Sequence, residues 1–485
     1  MKKLFTILIL LCLQNAYSQY TSPGNGTVFT LNSLSAAAPN VVVNNGTDFT
    51  MLQNVTISVG DTFLMDSNTT LKMNSNVQLT VAGTYTTTAS QILITATDPN
   101  LPFRGILFDT TSNVSIKNTT LEYGGGIRVS TSNFLMDNCI VRNFKSGLVT
   151  SGAMSFSTGT PVVQNSQFIN NDLPALSSGA NQTVALSSLN NYLSGNSKTN
   201  GNRPQINMGP SGTGTTKIIN NTILGNTAYD KVGGIAVVTF LGDPNNVQIE
   251  GNTVKNNRYG ITVSGNTSAG SISNNIIENN NAETNPMMGG SGIALTGSGS
   301  AVMNISIRNN QIRGNLWGVT LQGTSRANLG DDNLPGGNIF SNNGNGGNIY
   351  ALFNNTPNAI SAKGNCWREN EQSTPAMVEA VISHQVDDPA LGLVSFEPFN
   401  CGVVLATAEI EKLDAKIYPN PSKGIFFVEV AKSGNYILKD ASGRLIMSGI
   451  LVKGKNQIDV NVSPGIYFID IQQGEKRSTS KMIIE

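Results

Sequence analysis

Lys255, Glu278 and Arg313 each lie three residues after an asparagine that opens a recurring hexapeptide, in NTVKNN, NIIENN and NQIRGN. If successive motifs stack, a base, an acid and a base stand in one row. Such a row fits either a groove for acid–base proton transfer, or a solvated ion-pair stack. The ion-pair stack is favoured, because the acid falls between two bases. Asp331 and Asp332, in LGDDNLPGGN, offer hard oxygen ligands to calcium or form a polar turn, and the turn is the commoner use. His384 is the sole histidine, so imidazole chemistry has one residue to draw on, and it reads as a surface or cap residue. Tyr259 and Trp317 each precede a glycine that opens a strand pattern. Aromatic rings so placed act as platforms for sugar rings or, more often, as plugs in a bend.

The elements that must position these residues come from the repeat. The hexapeptide places asparagines at 138/143, 191/196, 221/226, 252/257, 275/280, 310/315, 338/343 and 365/370. The residue two after the first asparagine is apolar each time: Ile140, Leu193, Ile223, Val254, Ile277, Ile312, Phe340 and Trp367. A ninth unit fits if Ser166 replaces the first asparagine, with Phe168 and Asn171 following. Between several units lie GIRV from 126, GIAV from 234, GITV from 260, GIAL from 292 and GVTL from 318, each a short period-2 strand entered from a bend. Strands this short bury a face only if the chain winds and each coil pairs with the next, about 4.8 Å on. Asparagine suits the repeated bend twice over: it tolerates left-handed backbone, and its amide donates to one neighbour while accepting from another. The expectation is an asparagine ladder.

NVTISV, NVQLTV and QILITA, within residues 40–105, alternate as earlier coils of the same stack. About 13 coils give a rod on the order of 60 Å long. AMVEAVIS, residues 376–383, has helical spacing and is expected to cap the far end.

Over roughly residues 45–400 the sequence resembles right-handed parallel β-helix proteins. That family includes polysaccharide lyases, glycoside hydrolases, epimerases and adhesins, so the resemblance implies a fold without choosing a reaction. The polygalacturonase-type signature of Asn-Thr-Asp, paired Asp and Gly-His-Gly is absent.

Composition and termini bound the setting. Charged residues make up 12% of the 485, against about 25% in ordinary domains. Residues 415–485 hold ten Lys/Arg and six Asp/Glu, which leaves about −6 on residues 4–414 and no electrostatic footprint for nucleic acid. MKKLFTILILLCLQNAYSQ reads as a secretory signal peptide, residues 1–18, with small Ala16 and Ser18 before the cut. Leu11 before Cys12 does not fit a lipobox. No other apolar run approaches the roughly 20 residues of a membrane helix. Of the remaining cysteines, Cys366 and Cys401 can form a disulfide at the end of the repeats in an oxidising compartment, the alternative being three free thiols. Cys139 reads as a small buried hydrophobe.

From Lys416 the composition changes to alternating strands with turns at Pro-Asn-Pro, Ser-Gly and Pro-Gly, the pattern of a small antiparallel β-sandwich. Tyr418-Pro419-Asn420-Pro421, Gly443-Arg444-Leu445, Gly465-Ile466-Tyr467-Phe468 and the terminal Lys481-Met482-Ile483-Ile484 closely resemble the C-terminal sorting domain of the type IX secretion system of Bacteroidetes. The resemblance implies partnership with that machinery and removal of the domain after export.

The sequence therefore predicts an all-β protein: signal peptide 1–18, right-handed parallel β-helix with cap 19–401, linker 402–415 and sorting domain 416–485. The expected function is non-catalytic binding to extracellular polysaccharide or cell surfaces, with no cofactor unless calcium. The rivals are a carbohydrate-active enzyme, a lyase or hydrolase, and a structural surface rod.

Overall fold

The computed structural model describes residues 19–146, 150–401, 415–441, 443–474 and 476–485. The signal peptide, with Cys12, and residues 402–414 of the linker lie outside the described residues. Ala415 already belongs to the strand Ala415–Tyr418. The chain forms two compact units, Met1–Gly402 and Val403–Glu485.

The first unit is a coil of short strands in three long parallel sheets. Sheet 1 has 14 strands, from Tyr20–Thr21 to Ile382–Ser383. Sheet 2 has 14, from Val28–Phe29 to Val394–Ser395, and sheet 3 has 13, from Val42–Asn44 to Ile339–Ser341. The chain visits them in the order 1, 2, 3, and residues 40–105 supply early coils. Equivalent apolar residues stack into one core: Ile235, Ile261, Ile293, Val319 and Leu352 follow one another in sheet 1, all fully buried.

The asparagines divide into two adjacent jobs. The residue at the bend takes positive φ, as Asn118, Asn138, Asn165, Asn190, Asn220, Asn274 and Asn309 do, between 50° and 58°. The next residue turns inward and builds the ladder. Asn221 donates through Nδ2 to Oδ1 of Asn252 at 3.0 Å, Asn252 to Asn275 at 2.9 Å, Asn275 to Asn310 at 2.9 Å, Asn310 to Asn338 at 2.9 Å and Asn338 to Asn365 at 2.8 Å. A second ladder links Asn257, Asn280, Asn315 and Asn343 at 3.0–3.2 Å.

Three alignments need correction, one of them Asn370, which is exposed with φ 64° and takes the bend conformation instead of a ladder position. At 138–143 the register is one residue late: Cys139 and Phe144 hold the inward positions and Val141 is the buried apolar residue, while Asn138 and Asn143 are left-handed bends. Asn226 is exposed, and its rung is filled by Gln205, which accepts from Asn196 Nδ2 and donates to Asn257 Oδ1, both at 3.0 Å. The strand-entry glycines are close approaches: a Cβ on Gly260 would lie 2.4 Å from the Gly292 carbonyl oxygen on the next coil.

Both ends are closed. At the start, helix α1 (Leu31–Ala37), capped by Thr30 and Ser33, buries Leu31 and Leu34, and Val42–Asn44 pairs antiparallel to Asp48–Met51. At the far end, helix α2 is shorter than its spacing predicts, spanning Pro375–Glu379, because Ile382–Ser383 rejoins sheet 1. His384 is buried in this cap, its Nδ1 accepting from the Val394 amide at 2.9 Å and its Nε2 2.7 Å from Glu379. Since Nδ1 accepts, the neutral ring carries its proton on Nε2. Cys366 and Cys401 form a disulfide, with Cα atoms 4.3 Å apart, that ties the last coil to the end of the unit.

The second unit holds antiparallel sheets of three and four strands around a shared core that includes Phe426, Leu438, Ile469 and Met482.

Candidate functional site

The three sheets present different outer faces. By alternation, sheet 3 turns Lys255, Glu278 and Arg313 outward in one row, and the row extends to a residue the repeat did not reveal. Lys255 Nζ lies 2.6 Å from Glu278, Arg313 lies 3.1 Å from the other Glu278 oxygen, and Arg313 holds Glu369 through two bonds of 2.7 Å. Burial works to raise the Glu278 pKa, but Lys255 and Arg313 outweigh it and hold the carboxyl below the usual range. The Arg313 fork does the same for Glu369. Every member of this row is consumed by its neighbours, as in an ion-pair stack.

Asp331 and Asp332 diverge. Asp331 closes its own turn, accepting from the amides of Asn333 and Leu334 at 2.9 Å and from Asn328 at 2.7 Å, which drops its pKa to about 2. Asp332 pairs with Lys363 at 2.9 Å. Among the described residues no group of three or more His, Cys, Asp or Glu side chains is placed to hold a metal. Burial pushes the Cys139 thiol up to about 12, so it packs as an un-ionised side chain.

From Ser155 onward sheet 1 is an uncharged face, the coil before it carrying the exposed Arg128 at the same position. Its outward positions over successive coils are Ser155, Ser177, Asn207, Ala236, Thr262, Ala294, Thr320 and Phe353. Ser177, Ala236 and Thr320 are no more than 5% exposed although they point away from the core, so this face is recessed. Topology supplies the reason. Over residues 165–310 sheets 2 and 3 are joined by two-residue bends at the ladder positions, with a longer insertion only at 329–338, whereas both edges of sheet 1 receive longer loops, among them 195–205, 279–290 and 342–351 on one side and 209–214, 239–244 and 298–303 on the other. Arg258 braces the first side, its guanidinium bonding Asn202 on one loop and the Met288 carbonyl on another.

At one end of this face lies an aromatic cluster. The Trp317 ring centroid is 5.3 Å from Phe353, nearly parallel at 25°, and 4.6 Å from Tyr350. Trp317 Nε1 donates to the Pro286 carbonyl at 2.9 Å, which fixes the ring to the loop carrying the exposed Met287 and Met288. All three rings are half-buried. Tyr259 behaves differently: a Cβ on Gly233 would lie 2.1 Å from its ring, so it plugs the bend over that glycine, and burial pushes its hydroxyl up to about 12. Of the two aromatics read from sequence, Trp317 joins an aromatic cluster and Tyr259 does not. Tyr350 and Phe353 were missed because a long loop carries them to Trp317, outside the strand-entry motif.

Two small hollows are also present. One of about 40 Å³ is lined by Phe340, Trp367 and Glu369, and one of about 190 Å³ sits beside the N-terminal helix, near Leu31 and Asp66. The first shares Ile349 and Ala351 of the 342–351 loop with the edge of sheet 1, and the second is lined by residues of the first coils.

Residues 162–312 match the family model described as a right handed beta helix region, and residues 416–485 match the one described as a secretion system C-terminal sorting domain. The chain is thus a right-handed parallel β-helix protein with a type IX sorting tail. The tail implies interaction with the secretion machinery and export to the cell surface or extracellular space. No curated protein matches the chain. No helix among the described residues is long and apolar enough to cross a membrane.

Proposed function

We propose that the protein is a secreted or surface-held β-helix that binds extracellular polysaccharide along the outer face of sheet 1 and leaves the polymer intact. The observation that carries the reading is the Trp317, Tyr350 and Phe353 cluster at the end of a recessed floor of hydroxyl, amide and methyl groups. Sugar rings present C–H faces to aromatic rings and hydroxyls to polar side chains, so an uncharged floor with an aromatic end suits a neutral glycan. The acid and base row on sheet 3 supports the non-catalytic part, because its carboxylates are bound by Lys255 and Arg313 and held below the pKa range useful to a general acid.

The test is retention of purified protein on insoluble or immobilised polysaccharides. Trp317→Ala removes the central ring of the platform and should weaken retention about five- to tenfold on the glycan that binds the native protein, the effect of losing an aromatic contact worth roughly 1 kcal/mol. Unchanged retention, with an unchanged melting temperature, would remove the platform from the account.

A further inference from the structure

The loop that edges sheet 1 beside Trp317 has no core of its own. From Asn281 to Gly289 no residue is buried, and Met287 and Met288 are 86% and 56% exposed. The tip is a turn bonded to itself: Asn285 accepts the Met288 amide on its carbonyl at 2.9 Å and the Met287 amide on Oδ1 at 3.0 Å, while Glu283 accepts the Asn285 amide at 2.9 Å. With no apolar side chain to pack, the place of this turn beside the sheet is set by what its carbonyls meet. Among the described residues two side chains meet them. Trp317 Nε1 donates to the Pro286 carbonyl at 2.9 Å, and Arg258 donates to the Met288 carbonyl through Nη2 and through Nε, the latter at 2.9 Å.

Arg258 holds more than one carbonyl. Its Nη1 donates to Asn202 Oδ1, so a single guanidinium joins the loops 195–205 and 279–290, which the planar fork of arginine permits and the point charge of lysine does not. The backbone brings the fork into place. The Arg258 amide donates to the Val232 carbonyl at 2.7 Å, its carbonyl accepts from Gly290 at 2.7 Å, and the Gly290 carbonyl accepts from the Trp317 amide at 3.0 Å. Gly289 lies directly against the fork: a Cβ there would stand 2.8 Å from Arg258 Cγ and 3.1 Å from Nε. Arg258 and Trp317 thus grip one turn at carbonyls two residues apart.

We infer that Arg258 is a positioning residue for the glycan platform: by holding the Met288 carbonyl it fixes the turn to which the Trp317 ring is tied, and it acts on the polymer only through that ring. This role rests on reading the Trp317 cluster as the place where glycan binds. The rival role is direct contact between the guanidinium and the glycan, and the two differ in how losses combine. A residue that acts through the ring adds nothing once the ring is gone, whereas one with its own contact contributes independently of it.

Tryptophan fluorescence of the purified protein reads the seating of the ring without any ligand. The chain has two tryptophans, and Trp367 is 1% exposed, so iodide in solution reaches Trp317 alone. Arg258→Ala removes the fork and Gly289→Ala displaces it without changing charge. Each should raise iodide quenching at least about twofold at an unchanged melting temperature, with Arg258→Lys between them and the native protein. On the polysaccharide that retains the native protein, Arg258→Ala should weaken retention about five- to tenfold, as Trp317→Ala does, and the double variant should be no weaker than Trp317→Ala. Native quenching in both Arg258→Ala and Gly289→Ala overturns the positioning role, and so does a double variant weakened by the product of the two single losses. If the native protein is retained on no polymer, the glycan reading fails, and quenching alone decides whether Arg258 seats the ring.

Discussion

Replacing Asn275 by alanine tests the ladder at its centre. Asn275 is fully buried, and its Oδ1 accepts both the backbone amide and the side-chain amide of Asn252 at 2.9 Å. Its Nδ2 donates to the Ile249 carbonyl and to Asn310 Oδ1, again at 2.9 Å. Truncation leaves Asn310 Oδ1 with the Asn275 amide and Asn252 Nδ2 with the Ile218 carbonyl, so each keeps one partner. The Asn252 backbone amide keeps none. An orphaned buried donor costs about 1–3 kcal/mol, and the other lost bonds add about 1 kcal/mol, giving about 2–4 kcal/mol. Denaturant unfolding should show a lower midpoint at unchanged slope. Asn226→Ala is the control: exposed, with its side-chain oxygen accepting from the Ala228 amide, it should change stability by less than about 1 kcal/mol, whereas Gln205→Ala should cost as much as Asn275→Ala. An unchanged midpoint for Asn275→Ala, or equal losses for Asn226 and Asn275, would refute the reasoning.

Asp61 is buried and gathers the amides of Gly24, Asn25, Gly26 and Thr27 at 2.7–3.1 Å, so Asp61→Asn should loosen the first coil and open residues 19–30 to protease while later coils stay resistant. Burial works to raise the pKa of Asp61 and of Glu278, yet hydrogen bonds from Ser22 and the Gly24–Thr27 amides hold Asp61, and Lys255 and Arg313 hold Glu278, below the ordinary carboxylate range, and Arg313 does so for Glu369. Depressed folded-state pKa values contribute stability that is present above the ordinary range and lost as pH falls through the depressed values. The melting temperature should therefore be flat near neutrality and fall below about pH 4, less steeply in Glu278→Gln. Cys366→Ser opens a 35-residue loop and should cost about 2–4 kcal/mol in oxidising buffer and nothing under reduction, read by melting in both.

The stacking direction and the core were legible because a ladder demands asparagine itself, and asparagine is hard to mistake. Its other talent, tolerating left-handed backbone, caused the error at Asn138: a bend residue imitates a ladder residue one place away, and Cys139 holds the true position with a group that is not asparagine. Gln205 left no trace in the pattern because it reaches the rung from a loop nine residues beyond Asn196. The same loop variation hid the platform. Phe353 reaches Trp317 only because the Thr320–Phe353 register crosses a long connection, and Glu369 reaches Arg313 across two coils. Stacked strands are readable from spacing; what loops bring to them is not.

The central claim is a glycan bound and left whole. The most direct measurement incubates the purified protein, with calcium, against plant, algal and bacterial polysaccharides, then assays protein retained on each and analyses the supernatants by mass spectrometry. Saturable retention on at least one polymer, with no oligosaccharide released from any, is the predicted result. Released oligosaccharides, above all with unsaturated ends, would contradict it and turn attention to Lys255, Glu278 and Arg313 as an acid and base row in use.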